Sequence, residues 1–204
     1  NKVKVINASW GYYNEENPTL KRALEYTADN CWILFVCAAG NQTIDNDNVN
    51  HYPSNFDLKN VISVAAVSSA NLDNLAPYSN YGSTTVDLAA VGDVITTTAG
   101  GSTALKQGTS YATAQVSRAA AMLFHQYPDA TYYAVKFALN KGVDILQSTD
   151  SQKIKSSGRL NLSNSMGILD TLSMRSACSD IFFTGTINTQ IAEFNGLQIY
   201  PYPF

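Results

Sequence analysis

No run in this 204-residue chain approaches the roughly 20 consecutive apolar residues that a membrane-spanning helix requires, so no such span is expected. Charge is also sparse. Asp, Glu, Lys and Arg make up 14% of the sequence, and 13 basic against 16 acidic residues leave a formal net charge of -3. No basic cluster offers the electrostatic footprint of a nucleic-acid partner. The 12 glycines and 6 prolines exclude a collagen-like or broadly disordered chain. The opening Asn-Lys-Val-Lys-Val-Ile lacks the apolar core of a signal peptide, so a secretion signal, if used, would lie outside these residues. Cysteine is limited to Cys31, Cys37 and Cys178, an odd number that is not a disulfide framework. Cys31 and Cys37 flank the apolar run Trp32 to Val36, and a strand with its approach separates them by more than the about 7 Å between Cα atoms that a bridge allows. Both are expected to be buried thiols, and cysteine usage leaves the compartment open. Histidine is scarcer still, with only His51 and His125.

What is present is ample apolar material, 45% of residues, enough for one globular core. Val3 to Ala8 is a short β-type run ending at Ser9-Trp10-Gly11. Asn17-Pro18 places an N-cap residue ahead of a first-turn proline, and Leu20, Ala23, Leu24 and Ala28 continue at helical spacing to about Asn30. Ile33 to Cys37 is a continuous apolar run of the kind found in strands covered on both faces. Strand, crossover helix and strand make a βαβ unit, hence an α/β fold with a parallel sheet. Gly40 to Phe56 is polar and turn-rich; Val61–Val67, Val86–Ala89 and Val94–Thr98 read as further strands. Gly108-Thr109-Ser110 opens a long helix carrying Ala112, Ala114, Val116, Ala119, Ala120 and Leu123. Pro128-Asp129-Ala130 separates it from a second helix running through Leu139, and residues 156–166 have the character of a closing segment. From about residue 173 the pattern changes. Residues 1–172 are read as one domain and 173–204 as a tail or the start of a truncated domain. In that tail Ile181-Phe182-Phe183 and Leu197 to Tyr200 are β-type runs without an evident partner.

Two places have the residue types of a reactive site. At Gly108-Thr109-Ser110 a glycine turn delivers a serine to a helix start, where unpaired N–H groups and partial positive charge favour a developing anion. A Ser or Thr there also serves as a plain helix cap. At Ala38-Ala39-Gly40-Asn41 an amide follows a buried strand, the end of a parallel sheet at which sites form, although such an Asn is often only a turn residue.

The flanking blocks tie the two together. Val-Ile-Asn-Ala-Ser-Trp-Gly (5–11), Phe-Val-Cys-Ala-Ala-Gly-Asn (35–41), Tyr-Pro (52–53) and Asn-Val-Ile-Ser-Val-Ala-Ala-Val (60–67) resemble the subtilase family of serine proteases. So do Tyr-Ser-Asn-Tyr-Gly (78–82), Val-Asp-Leu-Ala-Ala-Val-Gly (86–92) and Gly-Thr-Ser-Tyr-Ala (108–112), in the family's order and spacing over about residues 3 to 166. The resemblance implies a subtilisin-like parallel sheet with helices on both faces, incomplete at its N-terminus. It implies that Ser110 is the nucleophile, and that Asn41 and the Ser110 N–H donate to the oxyanion. Ser9, Trp10 and Gly11 would pair with extended polypeptide substrate, Ala38, Ala39 and Gly40 would wall the pocket for the residue before the cut, and His51 would border that pocket. The family's catalytic Asp and His lie upstream of every block seen here.

The chain therefore reads as the nucleophile-bearing part of a secreted endopeptidase that is inactive alone. Its missing half, or another chain, would cover the exposed sheet. The alternatives are a degenerate scaffold that binds peptides and one subunit of a two-chain protease. His125 lies far down the helix from Ser110 and His51 is given no catalytic role. Ala114 and Val91 stand where the family usually has proline, Gln115 where His is common, and Arg118 where Gly is common. Leu197 to Phe204 is similar to the opening of the sorting domain of the type nine secretion system, with Tyr202 departing from it. No cofactor or metal is expected, although Asp45, Asp47, Asp57 and Asp87 leave room for a weak calcium or other cation site, against the simpler reading of a solvated acidic loop.

Overall fold

In the computed structural model the described residues are 3–13, 15–182, 192–194 and 197–199, with side chains described through residue 173. The chain divides into two compact units, Asn1–Asp170 and Thr171–Phe204. The first begins with β1 (Val5–Ala8), β2 (Tyr12–Tyr13) and α1 (Pro18–Tyr26). Asn17 caps α1 with its side-chain oxygen, accepting from the Thr19 and Leu20 N–H groups at 3.0 and 3.1 Å, while Pro18 occupies a position whose N–H would have no helical partner. The helix stops at Tyr26, short of the expected Asn30, and continues as one wide turn over Thr27–Cys31. That turn leaves Cys31 exposed, against the expectation of a buried thiol, while Cys37 is fully buried with its ionisation suppressed, first by burial and then by Asp87.

β3 (Leu34–Ala38), β4 (His51–Tyr52), β5 (Val61–Val67) and β6 (Leu88–Val91) follow. Then come β7 (Asp93–Thr97), β8 (Thr103–Gln107), α2 (Thr109–Gln126), α3 (Tyr132–Lys141), β9 (Asp144–Ile145), β10 (Gly158–Arg159) and α4 (Leu162–Phe182). The central sheet has the order β1-β3-β5-β6-β10-β9, and every pairing is parallel except the last. β3 and β5 are buried along their whole length, which is why their sequences are unbroken apolar runs.

The pleat sends alternate residues to opposite faces. Leu34, Val36, Ile62, Val64 and Ala66 pack with Ala112, Val116, Ala120 and Leu123 of α2 and with Val135 and Leu139 of α3. Phe35, Cys37 and Val61 pack on the other face with Leu24 of α1 and with Tyr52 and Phe56. The run of small residues along α2 lets that helix lie close to the sheet, and this fixes where its first turn points.

The strand expected at 86–89 is shifted to Leu88–Val91, because Val86 is buried ahead of the ladder. The run at 94–98 belongs to no central strand. It is one arm of the β7–β8 hairpin, whose Ile95 and Leu105 are largely exposed. In the second unit the expected β-type run at Ile181 and Phe182 is the end of α4, and Phe183 lies outside the described residues. β11 (Ala192–Phe194) pairs with β12 (Leu197–Ile199), the partner that the sequence reading lacked for Leu197–Ile199. Among the described residues no helix is long and apolar enough to cross a membrane.

Candidate active site

The C-terminal ends of β1 and β3 and the first turn of α2 meet around a cleft of about 150 Å³ lined by Ser9, Trp10, Gly11, Ala38, Gly40, Asn41, His51 and Ser110. Nearly all the residues singled out from the sequence line this one place. Ala39 is the exception: it is fully buried beneath the cleft and packs with Ala65 and Val67.

Gly108 precedes α2 with φ +153 and ψ 151, a conformation open essentially to glycine. The chain turns there so that Thr109 is fully buried and Ser110 is partly exposed. Thr109 fixes the Asn41 amide. Asn41 Oδ1 accepts from the Thr109 N–H at 2.8 Å and from Thr109 Oγ1 at 2.9 Å, and Thr109 Oγ1 in turn accepts from the Gly40 N–H at 3.3 Å. With its oxygen engaged twice, Asn41 is left with Nδ2 as a donor that has no protein partner among the described residues. A methyl group placed on Gly108 would lie 3.7 Å from Asn41 Nδ2 and 3.7 Å from the Ser110 nitrogen, so these two donors flank one small volume.

The Ser110 hydroxyl donates to the Ser9 carbonyl at 3.1 Å, and Ser9 Oγ returns a bond to the Ser110 carbonyl at 2.9 Å. Neither histidine touches Ser110 among the described residues. His125 is exposed in the last turn of α2, 15 residues further on, or about 22 Å along the axis. His51 is 4% exposed, its ring lies 4.8 Å edge-on from Tyr13, and Nδ1 lies 2.9 Å from Ser54 Oγ. Burial pushes its pKa down to about 4, so the imidazole is neutral near pH 7.

Thr109 and Asn80 are the residues that sequence reasoning passed over. Buried Asn80 sets the two hydrogens of Nδ2 among three acceptors, Tyr13 Oη, the Ala39 carbonyl and Asn46 Oδ1, and its own oxygen accepts from the Gln42 and Ile44 N–H groups. It therefore holds the loop that carries Asn41. Its signal was the block Tyr78-Ser79-Asn80-Tyr81-Gly82, quoted above without a role for the Asn.

Among the described residues no three His, Cys, Asp or Glu side chains come together as a metal cluster. Asp47 accepts from Ser83, Thr84 and Thr85, Asp45 from the Asp47 N–H and Asn48, and Asp87 from the Ser63 N–H.

The model of the subtilase family, peptidase S8, matches residues 1–168. The chain belongs to the subtilase family. This is a family of serine peptidases, and the chain shares 33% identity over 127 residues with subtilisin-like protease 2 of Plasmodium falciparum, covering 61% of this chain and 9% of that protein. It shares 38% over 125 residues with the thermophilic serine proteinase of Bacillus sp. strain AK1, covering 61% of this chain and 29% of that one. The chain thus spans less than a third of these curated relatives. Among solved structures, a protease from Pseudoalteromonas arctica superposes with a TM-score of 0.70 at 28% identity, covering 80% of this chain and 50% of that one. The prenylagaramide maturation protease PagA gives 0.70 at 25% identity, with 81% and 61% covered.

Proposed function

We propose that this chain supplies the nucleophile, the oxyanion donors and the substrate cleft of a serine endopeptidase that cuts extended polypeptides through an acyl-enzyme on Ser110. The observation that carries this is the Asn41 amide. Thr109 holds its oxygen, which leaves Nδ2 to donate, and Nδ2 and the Ser110 nitrogen each lie 3.7 Å from one point beside Gly108. Two preorganised donors at a helix start are suited to the negative oxygen of a tetrahedral intermediate. The backbone of Ser9 to Gly11, which follows edge strand β1 and belongs to no strand itself, offers extended substrate a segment to pair with. Ala38 and Gly40 wall the cleft for the side chain before the cut.

The chain alone does not turn over in this reading. A serine hydroxyl needs a base to take its proton as it attacks, and here that proton is held by the Ser9 carbonyl. The base and its orienting carboxylate come from polypeptide outside these 204 residues, which packs against the β1 edge of the sheet. Secretion is the proposed setting, from the likeness of the last residues to a sorting domain; residues 200–204 lie outside the described ones.

The test is labelling of Ser110 by an organophosphorus probe. We expect background labelling of the purified chain and stoichiometric labelling of the longer protein that includes upstream sequence. Ser110-dependent peptidase activity in the purified chain would mean that a base is present in it. Peptide binding without labelling in the longer protein would favour a scaffold that only binds peptides.

A further inference from the structure

The hydroxyl of Ser54 fixes the tautomer of His51. Ser54 has one proton to give, and it donates it to the His51 carbonyl at 2.7 Å, since a carbonyl can only accept. The same Oγ lies 2.9 Å from His51 Nδ1, and with its proton used it must accept there. Nδ1 therefore carries the imidazole hydrogen, and Nε2 carries the lone pair. Nε2 has no hydrogen-bond partner among the described residues. The ring cannot swing away from this arrangement. Tyr13 stands edge-on to it, and Gly11 lies so close that a Cβ there would be 2.4 Å from Nε2. His51 is 4% exposed and lines the same cleft as Ser110 and Asn41. Nε2 is therefore an acceptor that water satisfies when no substrate is bound and that a substrate side chain filling the cleft would desolvate.

We infer that His51 Nε2 is a hydrogen-bond acceptor that selects, for the residue before the scissile bond, a side chain ending in a neutral donor such as a hydroxyl or an amide. It disfavours an isosteric side chain that is apolar or acceptor-only. This rests on the cleft being the substrate site proposed above. An apolar side chain of the same shape leaves Nε2 desolvated and unpaired, and a carboxylate sets its lone pairs against that of Nε2.

Two isosteric pairs of short peptides isolate the effect, ending in Thr or Val and in Gln or Glu, with binding to the full chain followed by backbone NMR shifts at Trp10, Gly11 and Ser110. The Thr peptide should bind about threefold to tenfold tighter than the Val peptide, the range of one net hydrogen bond. Gln should likewise exceed Glu, and both preferences should vanish in His51→Phe. Equal affinity within both pairs in the unaltered chain would overturn the inference while leaving the substrate site standing. Absence of binding at the cleft would overturn both. Imidazole ¹⁵N NMR, with His125 as the internal comparison, reads the tautomer directly without any variant. A hydrogen on Nε2 of His51 would overturn the inference even if His51→Phe failed to fold.

Discussion

Ser9 and Ser110, 101 residues apart, exchange hydrogen bonds: each hydroxyl donates to the other's carbonyl, at 2.9 and 3.1 Å. The pair joins the end of β1 to the first turn of α2 and parks the Ser110 proton on an oxygen that cannot carry it away. Each bond is neutral and only partly buried, so Ser9→Ala or Ser110→Ala should cost about 1 kcal/mol, read as a shift in urea midpoint. Because both bonds join the same two segments, the double variant should cost measurably less or more than the two single losses together. Strict additivity would mean that the segments are held independently of this exchange.

The orientation of Asn41 separates two roles that one residue type combines. Asn41→Asp keeps an oxygen for the Thr109 N–H and Oγ1 but replaces the Nδ2 donor with an acceptor. Asn41→Ala removes both. Any residual hydrolysis of an activated peptide ester should fall with either variant. Loss of one oxyanion donor costs roughly a hundred- to a thousandfold, a figure established in this family rather than derived from this geometry. Folding should suffer more in Asn41→Ala than in Asn41→Asp. Ser110→Ala should leave that residual rate unchanged, since a serine without a base adds little to it. A rate that follows Ser110 and ignores Asn41 would reverse the proposed division of labour.

The sheet and the site differed in how plainly the sequence showed them. β3 and β5 are buried on both faces, so their composition alone marks them. The Asn17-Pro18 start of α1 is a local capping device and is equally legible. β7 and β8 are different: an exposed hairpin has no buried face to impose a pattern, so Val94–Thr98 resembles any short strand and Thr103–Gln107 resembles a loop. The end of α1 was misplaced for a related reason. Ala28 keeps the helical spacing and packs against the core, but from within the wide turn Thr27–Cys31. At the site, Ser110 and Asn41 are visible through the family-like blocks that carry them, since a Ser at a helix start or an Asn after a strand is by itself often only a cap or a turn residue. Thr109 and Asn80 act through bonds 68 and 41 positions away along the chain, which no local pattern encodes. One pair of departures from the family pattern turned out to be joined, since Gln115 Nε2 donates to the Val91 carbonyl at 2.7 Å.

Two groups should shape the acid limb of stability, in separate windows. Burial depresses His51 from 6.5 to about 4, so between those values the unfolded chain takes up a proton that the folded chain refuses. Its contribution is fully present above about pH 6.5 and is lost as the pH falls toward 4. Burial alone would raise the carboxyl of Asp47, but the Thr85, Ser83 and Thr84 hydroxyls and the Thr84 N–H outweigh it and hold the group at about 2. Its contribution is present above its ordinary 3.8 and is lost as the pH falls toward 2. Urea midpoints measured against pH should therefore flatten in the upper window for His51→Gln and in the lower one for Asp47→Asn. A His51→Gln profile as steep as that of the unaltered chain between pH 6.5 and 4 would show that His51 is not the group responsible.

Gly11 and His51 should prove energetically coupled. A Cβ at Gly11 would lie 2.2 Å from His51 Cε1 and 2.4 Å from Nε2, and no rotation of a ring held by Ser54 and Tyr13 relieves both contacts. Gly11→Ala should therefore cost about 1–3 kcal/mol, the range for overpacking a filled site. In a His51→Ala background the added methyl enters space that the ring has vacated, so the same substitution should cost less. Some cost will remain even there, because the Tyr52 backbone carbonyl would still be 2.8 Å from the new Cβ and cannot retreat without disturbing the β2–β4 pair. The coupling energy, taken from denaturation midpoints of the four proteins, should fall between about 0.5 and 3 kcal/mol, as for residues in direct contact. Equal costs in the two backgrounds would assign the need for glycine to the Tyr52 carbonyl alone, and would leave the His51 ring free to move within the cleft.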